Sequence, residues 1–237
     1  MVNAVACIVK CNGVVMTKKK IEMPKAAKGD TAHVIAKAGL SAIPIVGGPA
    51  AELFQHVVQP PLEKRRLEWM AAVGERLEEL EKDGLKLEDL ENNEQFISTV
   101  MHASQIALRT HQQAKLDALR NAVLNVALGQ APEEALQHLF LTFVDSFTGL
   151  HLQILAFFQT PPSSAGMYMG GLANVLEQGI PSLRGRRAIY DQFWSDLYTR
   201  GLVNTEGLHV MMTGQGLAAK RTTELGDKFL QFISECI

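Results

Sequence analysis

The sequence has few cysteines, few aromatic residues and almost no excess of charge of either sign. Three cysteines among 237 residues cannot form a disulfide framework, which excludes a disulfide-held secreted scaffold and indicates a reducing compartment, so we expect a cytoplasmic protein. A formal net charge of −2 excludes a global field that recruits nucleic acid or an anionic membrane. With 47% hydrophobic and only 6% aromatic residues, the chain can build a packed core, and the scarcity of strand-like runs predicts a mainly helical protein.

The common motifs of catalysis and cofactor binding are also absent from the sequence. There is no GxxxxGK[ST], GxGxxG, GxSxG or HExxH pattern. Cys7 and Cys11 have the spacing of half a metal site, but no second pair or histidine cluster completes it. His102 and His111 would lie on opposite faces of one helix and therefore cannot share a metal. We predict a non-enzymatic protein with no catalytic residue, no metal and no cofactor.

The N-terminal segment has two apolar stretches that bear on membrane association. Residues 1–15 lack the charged start and the cleavage site of a secretory signal, so we expect a disordered leader, or an overextended start before Met16, with a leader or linker over 1–30. Residues 38–51 carry no charge, but glycines and prolines break the run well short of the roughly 20 apolar residues of a spanning helix. Two short buried helices joined by a Gly-Pro turn are predicted; the alternative is a membrane-active hairpin formed by Ile43, Pro44, Ile45, Val46, Gly47 and Gly48.

Residues 31–145 are predicted to form a helical domain. A stripe of apolar residues including Trp69 and Val73 indicates an amphipathic helix, with charged residues on its solvated faces, that ends at Gly84. A capping box at Asn92 begins a long helix that extends to about Leu128. Its ends are apolar and its middle is polar on all sides, so we expect it to bridge two packed regions with a solvated or partner-bound centre. A further helix begins at Pro132.

The C-terminal segment has the most informative pattern. The apolar spacing from Ile189 predicts a helix that Gly201 closes, after which Leu202 and Val203 pack back onto it. Alternation over residues 208–212, the glycines in 213–216 and an extended run over 218–222 predict a β-hairpin. Thr223 is then the N-cap of the last helix. Upstream, Thr148 caps a short helix that ends before two prolines, and a second short helix covers about 168–178.

This order of elements over residues 146–233 resembles the winged-helix superfamily, in particular bacterial regulators of the MarR kind. The likeness rests on Gly201-Leu202-Val203 after an amphipathic helix and on Thr223, Leu225 and Gly226 at the start of the last one. The fold class predicted is therefore mainly α, with an N-terminal helical bundle or hairpin followed by a winged-helix-like α+β domain over 146–237 that contains a small β-hairpin.

The whole layout also resembles the Abi-alpha family of bacterial abortive-infection proteins. The likeness implies a helical protein of phage-defence loci without a known catalytic centre. It is carried by Phe140, Leu141, Asp145, Phe147, Thr148, His151, Ile154, Leu155, Phe157 and Phe158.

One basic cluster in the C-terminal segment is the candidate binding site. The sequence as a whole leaves three functions open. From residue 146 onward seven basic residues are balanced by seven acidic ones, whereas a DNA-reading domain has a basic excess. We therefore expect a protein partner, or a second copy of the chain, to be recognised. The alternatives are a regulator that reads duplex DNA and a membrane-active defence effector that uses residues 34–58. The candidate nucleic-acid or partner-binding residues are Arg184, Arg186, Arg187, Tyr190, Lys220 and Arg221.

Overall fold

The structure is a computed structural model that describes residues 49–162 and 169–235, with side chains described from residue 64 onward. The predicted leader over 1–30 lies outside the described residues, as do the candidate membrane residues Ile43, Pro44, Ile45, Val46, Gly47 and Gly48. The mainly helical class is confirmed for the described part of the chain.

The helices and strands follow one another with short connections. Two 3-10 turns, Leu87–Leu90 and Pro181–Leu183, lie between them. The elements are α1 (Pro49–Lys82), α2 (Glu94–Arg109), α3 (Gln113–Ala127), α4 (Glu134–Ser146), α5 (Gly149–Gln159), β1 (Met169–Gly171), α6 (Leu172–Gly179), α7 (Arg187–Thr199), β2 (Met211–Thr213), α8 (Gly214–Leu217) and α9 (Glu224–Ile233).

Several helix ends lie where local sequence signals predict them. Thr148 and His151 form a reciprocal capping box at the start of α5. The Thr223 hydroxyl accepts the Gly226 N–H at 3.0 Å at the start of α9. Gly201, with a φ of 71°, follows the end of α7 in the left-handed conformation that the sequence predicts. The cap of α2 is Asn93 rather than Asn92.

The prediction of one long helix from about Asn93 to Leu128 is wrong, because the chain turns between α2 and α3. Polar residues of that segment find partners within the protein, although Arg109, His111 and Gln113 stay exposed. The Gln112 side-chain oxygen accepts the Gly149 N–H at 2.7 Å, and Lys115 Nζ donates to the Asp145 carbonyl at 2.7 Å. Arg109 forms an ion pair with the Asp145 carboxylate at 2.9 Å. These bonds fix α2 and α3 to the corner between α4 and α5.

The predicted β-hairpin is also replaced by a different pairing. β2 pairs antiparallel with β1, so that Met169 lies opposite Thr213 and Gly171 opposite Met211. Gly214 lies in the short helix α8, whose cap is the Thr213 side chain, and it lacks the positive φ that a hairpin turn requires.

What remains of the hairpin is a single bridge at its base. Val203 pairs antiparallel with Thr222. Two backbone bonds flank the bridge: Asn204 N donates to Arg221 O at 2.9 Å, and Thr223 N donates to Leu202 O at 3.0 Å. The chain between these points forms β2 and α8 rather than two long strands.

One hydrophobic core extends from α1 to α9. The Phe229 ring of α9 lies 5.4 Å from Phe140 and 5.7 Å from Phe143, measured between centroids. The buried Asn125 side chain donates to the carbonyls of Phe232 and Ser234 at 2.7 and 3.0 Å and so caps the end of α9. The sequence-based boundary at residue 146 stays a prediction, and the core crosses it.

No single helix in the described ranges has the length and hydropathy to cross a membrane. Among the helices that the structure describes, α4 and α5 meet such a criterion together, as a pair bent by 119°. Phe140, Phe143, Leu155 and Phe158 of these two helices are buried in the core.

Candidate recognition face

Three arginines surround the start of α7 and extend into solvent. Arg184 and Arg186 flank Gly185, which has a φ of 72°, and the buried Leu183 anchors the preceding turn. Arg186 Nη1 donates to the Ser182 carbonyl at 3.4 Å, so it partly caps that turn. All three arginine side chains, including that of Arg187, are exposed.

Tyr190 does not share this exposure, although the sequence places it among the candidate contacts. Its side chain is 3% exposed, and its hydroxyl donates to Glu177 at 3.1 Å. Burial, followed by the bond to Glu177, raises the pKa of the Tyr190 hydroxyl above its usual value. The residue therefore joins α7 to α6 inside the core, where it positions the helix that carries the arginines.

Asp191 connects α7 to the segment that precedes β2. It lies 2.7 Å from His209 Nε2, and its other oxygen lies 3.3 Å from Arg187 Nε. The carboxylate thus holds His209 against the first turn of α7 and balances the charge of one arginine. A backbone bond of 2.9 Å from Ala173 N to Leu208 O ties the same segment to α6.

Large apolar side chains are exposed on the small sheet and beside it. Met169 is 65% exposed, Val210 is 55% exposed and Met211 is 63% exposed. Met211 lies opposite Gly171 in the β1–β2 pair, so the strands that carry Met169 and Met211 lie side by side. The contact of His209 with Asp191 joins the segment that carries Val210 to α7, the helix at whose start the arginines lie. We call Met169, Val210, Met211, Arg184, Arg186 and Arg187 together the recognition face.

Lys220 and Arg221 have other roles in the structure. Lys220 forms an ion pair with Asp227 in the first turn of α9. Arg221 Nη2 donates to the Gly216 carbonyl and lies 3.2 Å from Met212 Sδ, so this side chain fixes α8 to the sheet. The structure therefore keeps the three arginines together and exposed at the start of α7, buries Tyr190, and pairs Lys220 with α9 and Arg221 with α8.

The exposed methionines and Val210 are the part of the face that sequence reasoning missed. Alternation from Leu208 predicts Val210 on the buried side of a strand, and in the structure Leu208 is 1% exposed whereas Val210 faces solvent. The available signal was three large apolar residues in succession, Val210, Met211 and Met212, in a segment between glycines. A regular half-buried strand would alternate them with polar residues.

A buried histidine, His151, joins α5 to α7. Its Nδ1 accepts the Thr148 N–H at 3.1 Å, so its Nε2 carries the proton and lies 3.3 Å from Asp196 Oδ2. Phe147 stacks on the ring with a centroid distance of 4.9 Å. His151 is therefore a buried histidine whose two ring nitrogens both have partners.

The stability of the protein is expected to depend on pH through His151. Burial lowers the pKa of His151 below its usual value, and Asp196 only partly opposes this effect. The unfolded chain, with a histidine pKa of about 6.5, then binds the proton more readily, so stability is expected to fall as pH decreases through that value. Urea unfolding at about pH 7.5 and about pH 5.5 measures the change.

The matched variant for this measurement is His151→Asn, which keeps an acceptor for the Thr148 N–H. Its loss of stability between the two pH values should be smaller than that of the wild type. His102 contributes a loss of the same sign in both proteins, because burial and its neighbour His138 lower the His102 pKa. An equal loss in the variant and the wild type would contradict the assignment.

His102 and His138 form a histidine pair that the sequence did not indicate. Their ring centroids are 5.1 Å apart on α2 and α4. Within the part of the chain that the structure describes, no group of three or more histidine, cysteine or acidic side chains is arranged to hold a metal ion.

Comparisons with protein-family models, with curated proteins and with solved structures gave no match.

Proposed function

We propose that this chain is a non-enzymatic recognition protein that binds another protein through the recognition face of its C-terminal part. The observation that carries the proposal is the group of exposed methionine and valine side chains on and beside the β1–β2 sheet, together with three exposed arginines at the start of α7, the helix that Asp191 joins to the segment before β2. Exposed apolar patches with a charged rim are typical of protein interaction sites, and methionine adapts its shape to a partner.

The winged-helix interpretation is part of the proposal and has support in the order of the elements. α5, β1, α6 and α7 are followed by the Val203–Thr222 bridge and then by α9. A winged helix has its second strand directly after the recognition helix and its third directly before the last helix, which are the positions of Val203 and Thr222. In this interpretation β2 and α8 occupy the place of the wing.

The partner is expected to present acidic and large apolar side chains. Carboxylates are the natural partners of Arg184 and Arg186, because a guanidinium bonds both oxygens of a carboxylate. Apolar side chains would cover Met169, Val210 and Met211. The resemblance to abortive-infection proteins motivates phage defence in bacteria as the setting.

Duplex DNA is the second candidate, because the three arginines lie at the start of the helix that a winged helix inserts into the major groove. The local charges favour a protein instead. Asp191 already pairs with Arg187, and Lys220 is paired with Asp227. Apolar side chains as exposed as those of Met169 and Met211 do not contribute to phosphate binding.

The proposal is tested by selecting binders from a peptide-display library on the full chain and measuring their affinities by fluorescence anisotropy. Enriched peptides should combine acidic and large apolar residues. Arg186→Glu and Met211→Asp should each weaken the best peptide about tenfold or more, which is about 1.4 kcal/mol. Lys86→Glu and Leu139→Asp, at exposed positions outside the face, are the matched controls and should leave the affinity unchanged.

A labelled DNA duplex in the same assay distinguishes the second candidate. Tight binding of the duplex that weakens steeply with salt and is lost in Arg186→Glu would replace the proposed function with DNA recognition. Peptides that bind equally well to all four variants would also contradict the proposed function.

A further inference from the structure

A second exposed apolar surface lies on α1, on the side turned away from the core. Trp69 and Val73 are buried, whereas Leu67 is 63% exposed and Ala71 is exposed. At 100° per residue, Leu67, Ala71 and Gly74 lie opposite the Trp69–Val73 side. A Cβ atom at Gly74 would meet nothing within 4 Å. This outer face of α1 is thus open to solvent.

The apolar surface continues from α1 onto α2. Met70 is 43% exposed, and its sulfur lies 3.9 Å from the Ser104 hydroxyl of α2. Met101, one helical turn before Ser104, is 61% exposed. Leu67, Met70, Gly74 and Met101 therefore form one exposed patch across two packed helices, which we call the α1 patch.

One pair of opposite charges lies symmetrically about the middle of the α1 patch. On the outer side of the helix Lys64 and Glu68 lie on the N-terminal side, and Glu75 and Glu78 lie on the C-terminal side. Lys64 precedes Ala71 by seven residues, and Glu78 follows it by seven. Both are on the outer side of the helix and exposed. Among the described residues Glu78 has no ion pair, and Lys64 has only a 3.7 Å contact with Glu68 in solvent.

We propose that the α1 patch is an interface with a second copy of this chain, with the two α1 helices antiparallel about a two-fold axis at Ala71. A two-fold axis brings the same surface of both copies together, so the surface must complement itself. Antiparallel pairing sets Lys64 of one copy against Glu78 of the other, twice. It also brings Met70 of the two copies close to the axis and sets Leu67 of each copy beside the other copy's Glu75, and α1 and α2 of both copies form a four-helix packing. Parallel pairing would oppose like charges.

The small side chains at the centre of the α1 patch fit this arrangement. Ala71 and Gly74 allow two helix axes to approach closely, and nothing in the described chain fills the space beside Gly74. With the axis at Ala71, residues 64–78 of the two copies face each other over about 21 Å, which gives a long line of contact. This interface is on the helical part of the chain and does not depend on the recognition face.

The test is a charge exchange measured as the mass of the full chain in solution, by sedimentation or by light scattering after gel filtration. The wild type should be a dimer. Lys64→Glu and Glu78→Lys should each weaken the dimer about tenfold or more, because each creates two like-charge contacts. The double variant, Lys64→Glu with Glu78→Lys, should restore it, since the exchanged charges again complement one another. Leu67→Asp should give a monomer.

The control pair is Lys86→Glu and Glu88→Lys, which exchanges exposed charges beyond the end of α1 and should leave the dimer intact. Circular dichroism of every variant checks that the helices are retained. A monomeric wild type would overturn the proposal, as would a dimer that none of the single variants weakens. Failure of the double variant to recover would overturn the antiparallel arrangement about Ala71.

Discussion

Replacing Gly226 with alanine is expected to cost about 3 kcal/mol of unfolding free energy. Gly226 lies in the first turn of α9, and a Cβ atom there would lie 2.3 Å from the Leu202 carbonyl oxygen. That oxygen belongs to the backbone and accepts the Thr223 N–H at 3.0 Å, so it cannot move aside without breaking the link between Leu202 and α9. Urea unfolding measures the loss.

The matched control for Gly226→Ala is Gly149→Ala. A Cβ atom at Gly149 would meet the Ala114 Cβ at 3.4 Å and the Gln112 side-chain oxygen at 3.5 Å, which are ordinary contacts. This control should change stability by less than about 1 kcal/mol. Equal unfolding midpoints for the two variants would show that α9 does not pack on Leu202 as closely as the structure indicates.

Replacing Phe229 with alanine is expected to cost about 3 to 5 kcal/mol, because it removes a fully buried ring from the centre of the core. The ring of this α9 residue contacts those of Phe140, Phe143 and Phe147, which lie on α4 and just after it. The loss should therefore affect both the N-terminal helices and the C-terminal part, and the protein should still unfold in one transition.

The two tryptophans allow this cooperativity to be observed. Trp69 lies on α1 and Trp194 on α7, and both are buried. Single-tryptophan forms made by replacing the other indole with phenylalanine should report the same midpoint for the Phe229→Ala protein. Ile189→Ala, at a half-exposed position, is the control and should cost less than about 1 kcal/mol. Two separate midpoints would mean that the parts before and after residue 146 unfold independently.

Local signals in the sequence predicted much of the helical structure. The caps at Thr148 and Thr223 and the left-handed Gly201 depend on residues within one turn of the helix end, so the pattern alone locates them. The prediction of one long helix failed because the partners of its polar middle, Asp145 and Gly149, come from another part of the chain. Periodicity contains no information about such partners.

The strand pairing and the recognition face show the same limit. The glycines after β2 predict a hairpin, but β2 pairs with a strand far earlier in the chain, and both glycines enter a capped helical turn. The three arginines were found because they are neighbours in sequence. Tyr190 was assigned to the same surface because its partner Glu177 cannot be foreseen from sequence. Met169 was missed because only the β1–β2 pairing brings it near Met211.

The most direct test of the recognition face is a titration of the isotope-labelled protein with a selected acidic and apolar peptide, followed by amide chemical shifts. We expect the changed amides to cluster at 169–171, at 184–192 and at 208–213, and an equal concentration of duplex DNA to leave them in place. Changes concentrated elsewhere on the chain, or changes at these amides produced by the duplex and not by the peptide, would contradict the account.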